Sequence, residues 1–216
     1  MQQFDFRARP RLRGQLHAVA AVLSVGALVW LVRSAATVEA TIAAWVYGSA
    51  AILCYLTSSS YHIAARTERA RAAMQRADRS MIYVMIAGTF TPVALLAMQG
   101  WFRWLLLTIV WVGALFGVAL MLPSRPRLPR FGGALYIILG WAGVSAMPAL
   151  ADHPVRLVLM VTAGILYTLG AILFQLKRPQ LHPAWFGFHE FWHVMGVAAG
   201  ALLFVVNLSL ISSPPS

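Results

Sequence analysis

Residues 41–98 read TIAAWVYGSAAILCYLTSSSYHI, then AARTERARAAMQRADRS, then MIYVMIAGTFTPVALLAM, and this stretch decides the fold. Two apolar runs, 41–63 and 81–98, flank a linker that carries Arg66, Arg69, Arg71, Arg76 and Arg79. Each run is near or above the roughly 17–25 residues a helix needs to cross a bilayer. Arginines clustered between such runs mark a short loop that stays in the cytoplasm. The stretch therefore reads as a transmembrane helical hairpin with its bend on the cytoplasmic side.

Working outward, the same pattern repeats over the whole chain. Further apolar runs occupy 16–32, 104–122, 132–150, 157–176 and 185–211, which makes seven spans in all. The breaks between them hold Gly100, the prolines Pro123, Pro126 and Pro129, the Asp152-His153-Pro154 turn, and Pro179 with Pro183. Of 216 residues, 60% are hydrophobic and only 11% charged, with a mean hydropathy of +0.74, so a soluble domain is excluded. The fold expected is all-α and polytopic: one seven-helix transmembrane domain over residues 1–216, with a short basic segment at 1–13 and a short tail at 212–216.

Orientation follows from the positive charge. Arg7, Arg9, Arg11 and Arg13 precede the first span, Arg125, Arg127 and Arg130 lie between the fourth and fifth, and Lys177 with Arg178 between the sixth and seventh. Together with the arginines of the hairpin bend, these put fourteen of the 17 basic residues on one side and leave Arg33, Arg103 and Arg156 for the other. The N-terminus is expected in the cytoplasm and the C-terminus outside, in the cytoplasmic (inner) membrane of a bacterium. The net charge of +11 sets topology and meets anionic lipid headgroups; no basic patch interleaved with aromatics points to nucleic acid. The first span outlasts a secretory signal core, and removing it would break the alternation of charged loops. A lone Cys54 allows no internal disulfide.

Ionisable residues inside spans are costly and usually functional. His189 and His193, one helical turn apart, open the seventh span; Ser58 and His62 repeat that spacing at the end of the second, and Asp78 opens the third. The topology puts all five near the cytoplasmic face, although they come from three helices. Residues four apart share a helix face, so each pair can aim two side chains at one point. One interfacial histidine is ordinary; three at one depth beside an aspartate suit a metal.

Three neutral imidazoles with an open position match a catalytic zinc site, which acidifies its water to a pKa near 7. Iron, nickel and cobalt use similar donors. Asp78 could be a fourth ligand or the general base that holds the water. Ser58 could take part or simply bond back to its own helix. His17 and His153 read as interfacial residues and His182 as part of a turn. Glu190 reads either as the partner of a ligand or as the partner of a nearby arginine. Trp101, Trp104 and Trp185 suit an aromatic belt.

The segments Ser58-Ser-Ser-Tyr-His62, Asp78-Arg-Ser-Met-Ile-Tyr-Val-Met-Ile-Ala-Gly-Thr-Phe-Thr-Pro92 and His189-Glu-Phe-Trp-His193 resemble the three signature blocks of the haemolysin III family, the bacterial branch of the progestin and adipoQ receptors. The resemblance spans nearly the whole chain. It implies seven helices, an internal N-terminus and a zinc near the cytoplasmic side. His62, His189 and His193 match the metal-binding histidines, Asp78 the aspartate associated with the zinc-bound water, and Ser58 the serine one turn before the first histidine. The family is similar to the alkaline ceramidases. The long N-terminal domain of the hormone receptors has about a dozen residues as its counterpart here, so no hormone-receptor role is expected.

The function expected is a zinc-dependent membrane hydrolase acting on a lipid amide or ester, with membrane lipids as partners and no nucleic acid or soluble protein implied. A metal-dependent sensor without turnover, or a membrane-lytic protein, are the alternatives. The chain shows no amphipathic barrel pattern that would favour a lytic pore.

Overall fold

A computed structural model describes residues 12–123, 129–182 and 184–213. Arg7, Arg9, Arg11, Arg125, Arg127, Pro126, Pro183 and the last residues of the tail lie outside them. The described chain is helical, with α1 at Gln15–Ser34, α2 at Val38–Ile63, α3 at Glu68–Ala97, α4 at Gly100–Met121, α5 at Pro129–Trp141, α6 at Pro154–Gln175 and α7 at Phe188–Ile211. Six of these helices are long and apolar enough to cross a membrane. The protein is thus an all-α polytopic membrane protein.

The expected fifth span differs from its neighbours. Its α-helix is 13 residues long, and the chain continues in two 3₁₀ segments, Ala142–Ala146 and Pro148–Leu150. At ~1.5 Å per α residue and ~2.0 Å per 3₁₀ residue the whole segment reaches roughly 35 Å, as far as a span requires. The Tyr83 hydroxyl donates to the Gly132 carbonyl at 2.8 Å near one end, and Gly143 packs on the Phe90 ring farther along. Pro148, which cannot donate to an α-helical ladder, opens the second 3₁₀ segment.

The hairpin bend also differs. Most of its arginines belong to the first turns of α3, and the connection shrinks to a few residues ending at Thr67, whose hydroxyl accepts from the Ala70 amide at 3.1 Å. A 30-residue helix is ~45 Å long against a hydrocarbon core of ~30 Å, so the basic turns project beyond it. Asp78 therefore stands three turns into α3 rather than at its start.

α3 is the central helix. Tyr83, Ala87, Val93, Val110, Leu150 and Val206 are fully buried around it, whereas Val22, Leu115, Val155 and Val158 face outward. An outer surface so apolar suits lipid rather than water. Helices without a hydrophobic drive between them associate through close packing of small residues. Gly88 leaves no room for a Cβ against Ala50 of α2, and Gly117 none against the Tyr83 ring. Pro92 interrupts the ladder of α3, and the buried Asn207 of α7 donates to the neighbouring Thr89 carbonyl at 3.2 Å.

α7 closes the bundle against α1, α2, α3 and α6. At the end remote from the histidines, Arg103 pairs with Glu39 at 3.0 Å, and Arg156 bonds the Ser209 and Ser213 hydroxyls at 2.9 and 2.8 Å. These ties gather the starts of α2, α4 and α6 and the end of α7 on one face. Reporter fusions after Arg13, at Arg66 and after Lys177 are expected to read cytoplasmic, and fusions near Arg103, Asp152 and Ser216 external. A cytoplasmic reading at Ser216 would mean that the 129–150 segment does not cross.

Candidate metal centre

The site is assembled where the start of α1, the end of α2 and the start of α7 meet. α2 delivers Ser58 and, in its last turn, His62. α7 starts with His189 in its first turn and His193 one turn on. α1 enters through Gly14, whose φ of 83° is the left-handed conformation that glycine adopts freely. A side chain there would also meet the His62 Cβ at 2.7 Å, so glycine lets α1 start directly against α2.

The start of α7 is held from both sides by Glu190, which is only 1% exposed. One carboxylate oxygen accepts from the Gly187 amide at 2.8 Å, satisfying a donor at the helix start. The other accepts from Arg13 Nε at 2.6 Å, joining the residues before α1 to α7. Of the two readings open in the sequence, Glu190 is the partner of an arginine, and it caps the helix as well. Replacing it with Ala leaves a guanidinium and an amide unpaired. Glu190→Ala is expected to cost about 3 kcal/mol and Glu190→Gln less, read as thermal unfolding midpoints in detergent.

The ligand atoms of His62, His189 and His193 all lie within 4.8 Å of one another. The Nε2 atoms of His62 and His189 are 3.2 Å apart. A tetrahedral ion with bonds of ~2.0–2.1 Å needs neighbouring donors ~3.3 Å apart, so the closest pair already fits and the others close with small side-chain rotations. His193 is buried, and the Phe174 ring of α6 stands edge-on to His189 at 5.3 Å. Three imidazoles in such surroundings suit zinc.

Asp78 is not in this close group. It is half-buried on α3, with the buried Ser58 of α2 near its carboxylate. Ser59, by contrast, bonds back to the Leu56 carbonyl at 3.0 Å, the ordinary behaviour of serine in a helix. The structure thus brings the five residues to one end of the bundle as two sets: three histidines together, and a serine–aspartate pair spanning α2 and α3.

His17, read from the sequence as an interfacial residue, lies against the histidines. Its ring stacks on that of His193, with centroids 3.9 Å apart and planes 26° from parallel. The depth argument applied to the second, third and seventh spans would have found it, because the first span also starts at the same membrane face. His182 lies in a turn, bridged to Phe186, and His153 stands exposed just before α6. Trp101 and Trp104 are exposed at the start of α4, as a belt requires.

A family model described as haemolysin-III related matches residues 7–205. The chain is similar to Hemolysin-3 of Bacillus cereus, with 31% identity over 193 residues that cover 87% of this chain and 85% of that protein. It is also similar to the Hemolysin-3 homolog of Bacillus subtilis (strain 168), with 30% identity over 196 residues and 87% coverage of both chains.

Proposed function

The chain belongs to the haemolysin III family of membrane proteins, and from that premise we propose that it is a zinc-dependent hydrolase of a lipid amide or ester, in the cytoplasmic membrane of a bacterium. One observation carries the reading: three imidazoles from α2 and α7 converge at one end of a lipid-embedded bundle, with the Asp78 carboxylate of α3 outside their group. When bound, zinc supplies a Lewis acid for a carbonyl and an acidified water.

This chain's own residues do the rest. His62, His189 and His193 hold the ion as neutral donors. Asp78, outside that group, would hold a water and accept its proton. The Ser58 hydroxyl is a candidate donor to the substrate's carbonyl oxygen as charge builds there. Phe174 covers one side of the partly exposed His189, and burial of His193 strengthens its interactions.

The same centre would serve a metal-dependent sensor that never turns over, and the test separates the two. Purified protein is incubated with a membrane lipid extract beside His193→Ala, and the lipids are profiled. Loss of an amide or ester species with release of its fatty acid, in wild type alone, supports the hydrolase. Identical profiles across a broad lipid panel would favour the sensor. The name Hemolysin-3 speaks of lysis by the relatives, and red-cell lysis that persists in His193→Ala would separate any lytic effect of this chain from the centre.

A further inference from the structure

At the end of the bundle remote from the histidines, a cleft of about 290 Å³ lies between the start of α6 and the end of α7. Val155, Leu159 and Val205 give it apolar walls, and Arg156 lines it beside the exposed Asp152 and His153. Trp101 and Trp104, exposed at the start of α4, mark the same end as the level of the lipid head groups.

Arg156 is a charge without a counter-charge. Its Nε donates to the Ser209 hydroxyl at 2.9 Å, and its Nη2 donates to the Ser209 carbonyl at 3.1 Å and the Ser213 hydroxyl at 2.8 Å. All three acceptors are neutral groups of α7 and the residues just after it. No carboxylate among the described residues pairs with the guanidinium, Asp152 of the same cleft included. A guanidinium has five N–H donors, and the two on Nη1 have no acceptor among the described residues. The bonds to α7 fix the side chain in place, so the cleft presents a half-buried, pre-oriented cation with donors to spare. An ionised group in a span is costly unless it is paired, and it commonly marks a site.

We propose that this cleft binds the head group of a zwitterionic phospholipid, with the phosphate on Arg156 and the head-group amine at Asp152. A guanidinium suits phosphate because its planar donors meet two oxygens at once and its charge is weakly hydrated. Asp152 decides in favour of an amine, since a carboxylate lining the same cleft attracts an ammonium and repels a second anion. The apolar walls suit the glycerol and first methylenes of a lipid rather than a free, fully hydrated phosphate. The site stands apart from the histidines at the other end of the bundle and does not depend on hydrolysis there.

The test measures binding. Purified protein in detergent is titrated with dioleoyl phosphatidylethanolamine, and retained lipid is counted by native mass spectrometry beside dioleoyl phosphatidylglycerol, dioleoylglycerol and inorganic phosphate. Phosphatidylethanolamine is expected to be retained at about one per chain, ahead of the other three. Arg156→Gln is expected to weaken that binding about tenfold. Because this variant also loses bonds to α7, Val155→Trp and Val205→Trp fill the cleft from positions that are 69% and 49% exposed and leave every Arg156 bond in place. Each is expected to weaken binding several-fold while the lipid-free protein keeps its unfolding midpoint.

Asp152→Asn is expected to abolish the preference for phosphatidylethanolamine over phosphatidylglycerol. Binding unaffected by both filling variants would overturn the site and leave Arg156 as a tie between α6 and α7. Equal retention of dioleoylglycerol would overturn the phosphate contact, and a preference for phosphatidylethanolamine that survives Asp152→Asn would overturn the amine contact. Displacement of the lipid by millimolar inorganic phosphate would make a free oxyanion the occupant and overturn the lipid.

Discussion

Purified in detergent, the protein is expected to carry about one zinc ion per chain, and His62→Ala, His189→Ala and His193→Ala are each expected to lose nearly all of it. The reason is geometric. Three donors that already lie within 4.8 Å of one another bind a single ion together, and removing one leaves two imidazoles, a set that common chelators outcompete. Structural zinc sites reach ~10–16 kcal/mol of apparent binding free energy near neutral pH, so losing one of three protein ligands lowers affinity by orders of magnitude. Element analysis of the purified variants measures it. Full zinc occupancy in all three would falsify the centre. The same alanine variants should still insert and fold, because α2 and α7 are held to their neighbours by packing along their lengths rather than by the histidines.

Asp78→Asn is expected to abolish most turnover while leaving most of the zinc in place. General bases contribute ~10²–10⁴ in rate, and an amide can still hydrogen-bond a water but cannot accept its proton. The structure sharpens the expectation, because Asp78 stands outside the close group of histidines. A carboxylate that ligated the ion directly would take metal affinity down with activity. The measurement is zinc content beside hydrolysis of a panel of ceramides and other lipid amides. Unchanged hydrolysis in Asp78→Asn would remove this carboxylate from the reaction. A joint loss of zinc and activity would make it a ligand. Ser58→Ala is expected to have a smaller effect in the same assay, since it removes a neighbouring hydroxyl and no charge.

Much of the site was legible in the sequence because membrane insertion turns sequence position into depth. His62 at the end of one apolar run and His189 and His193 at the start of another must lie near the same face if the runs alternate in direction. The same logic would have placed His17, whose run also starts at that face. Depth alone does not say which residues touch, however. His17 reaches His193 because Gly14 lets α1 start against His62 and because Arg13 is paired to Glu190 of α7. No local pattern encodes either contact, since the partners are far apart in sequence.

The chain's sequence by itself determined that this is an all-α polytopic membrane protein and that its ionisable residues gather toward one face. Apolar length and arginine distribution act residue by residue through the cost of taking each group into hydrocarbon, and no packing information is needed. Only the tertiary structure decided that the fifth segment is an α-helix prolonged by 3₁₀ turns, that α3 carries the hairpin arginines as its own first turns, and that Asp78 stands apart from the three imidazoles. These outcomes depend on how the helices pack together. Gly88 and Gly117 lie too close to Ala50 and Tyr83 to admit a Cβ, Tyr83 bonds the Gly132 carbonyl, and Glu190 joins α7 to the start of α1. Such contacts set the rotation and approach of each helix, and helix rotation selects which of the side chains at one depth actually meet.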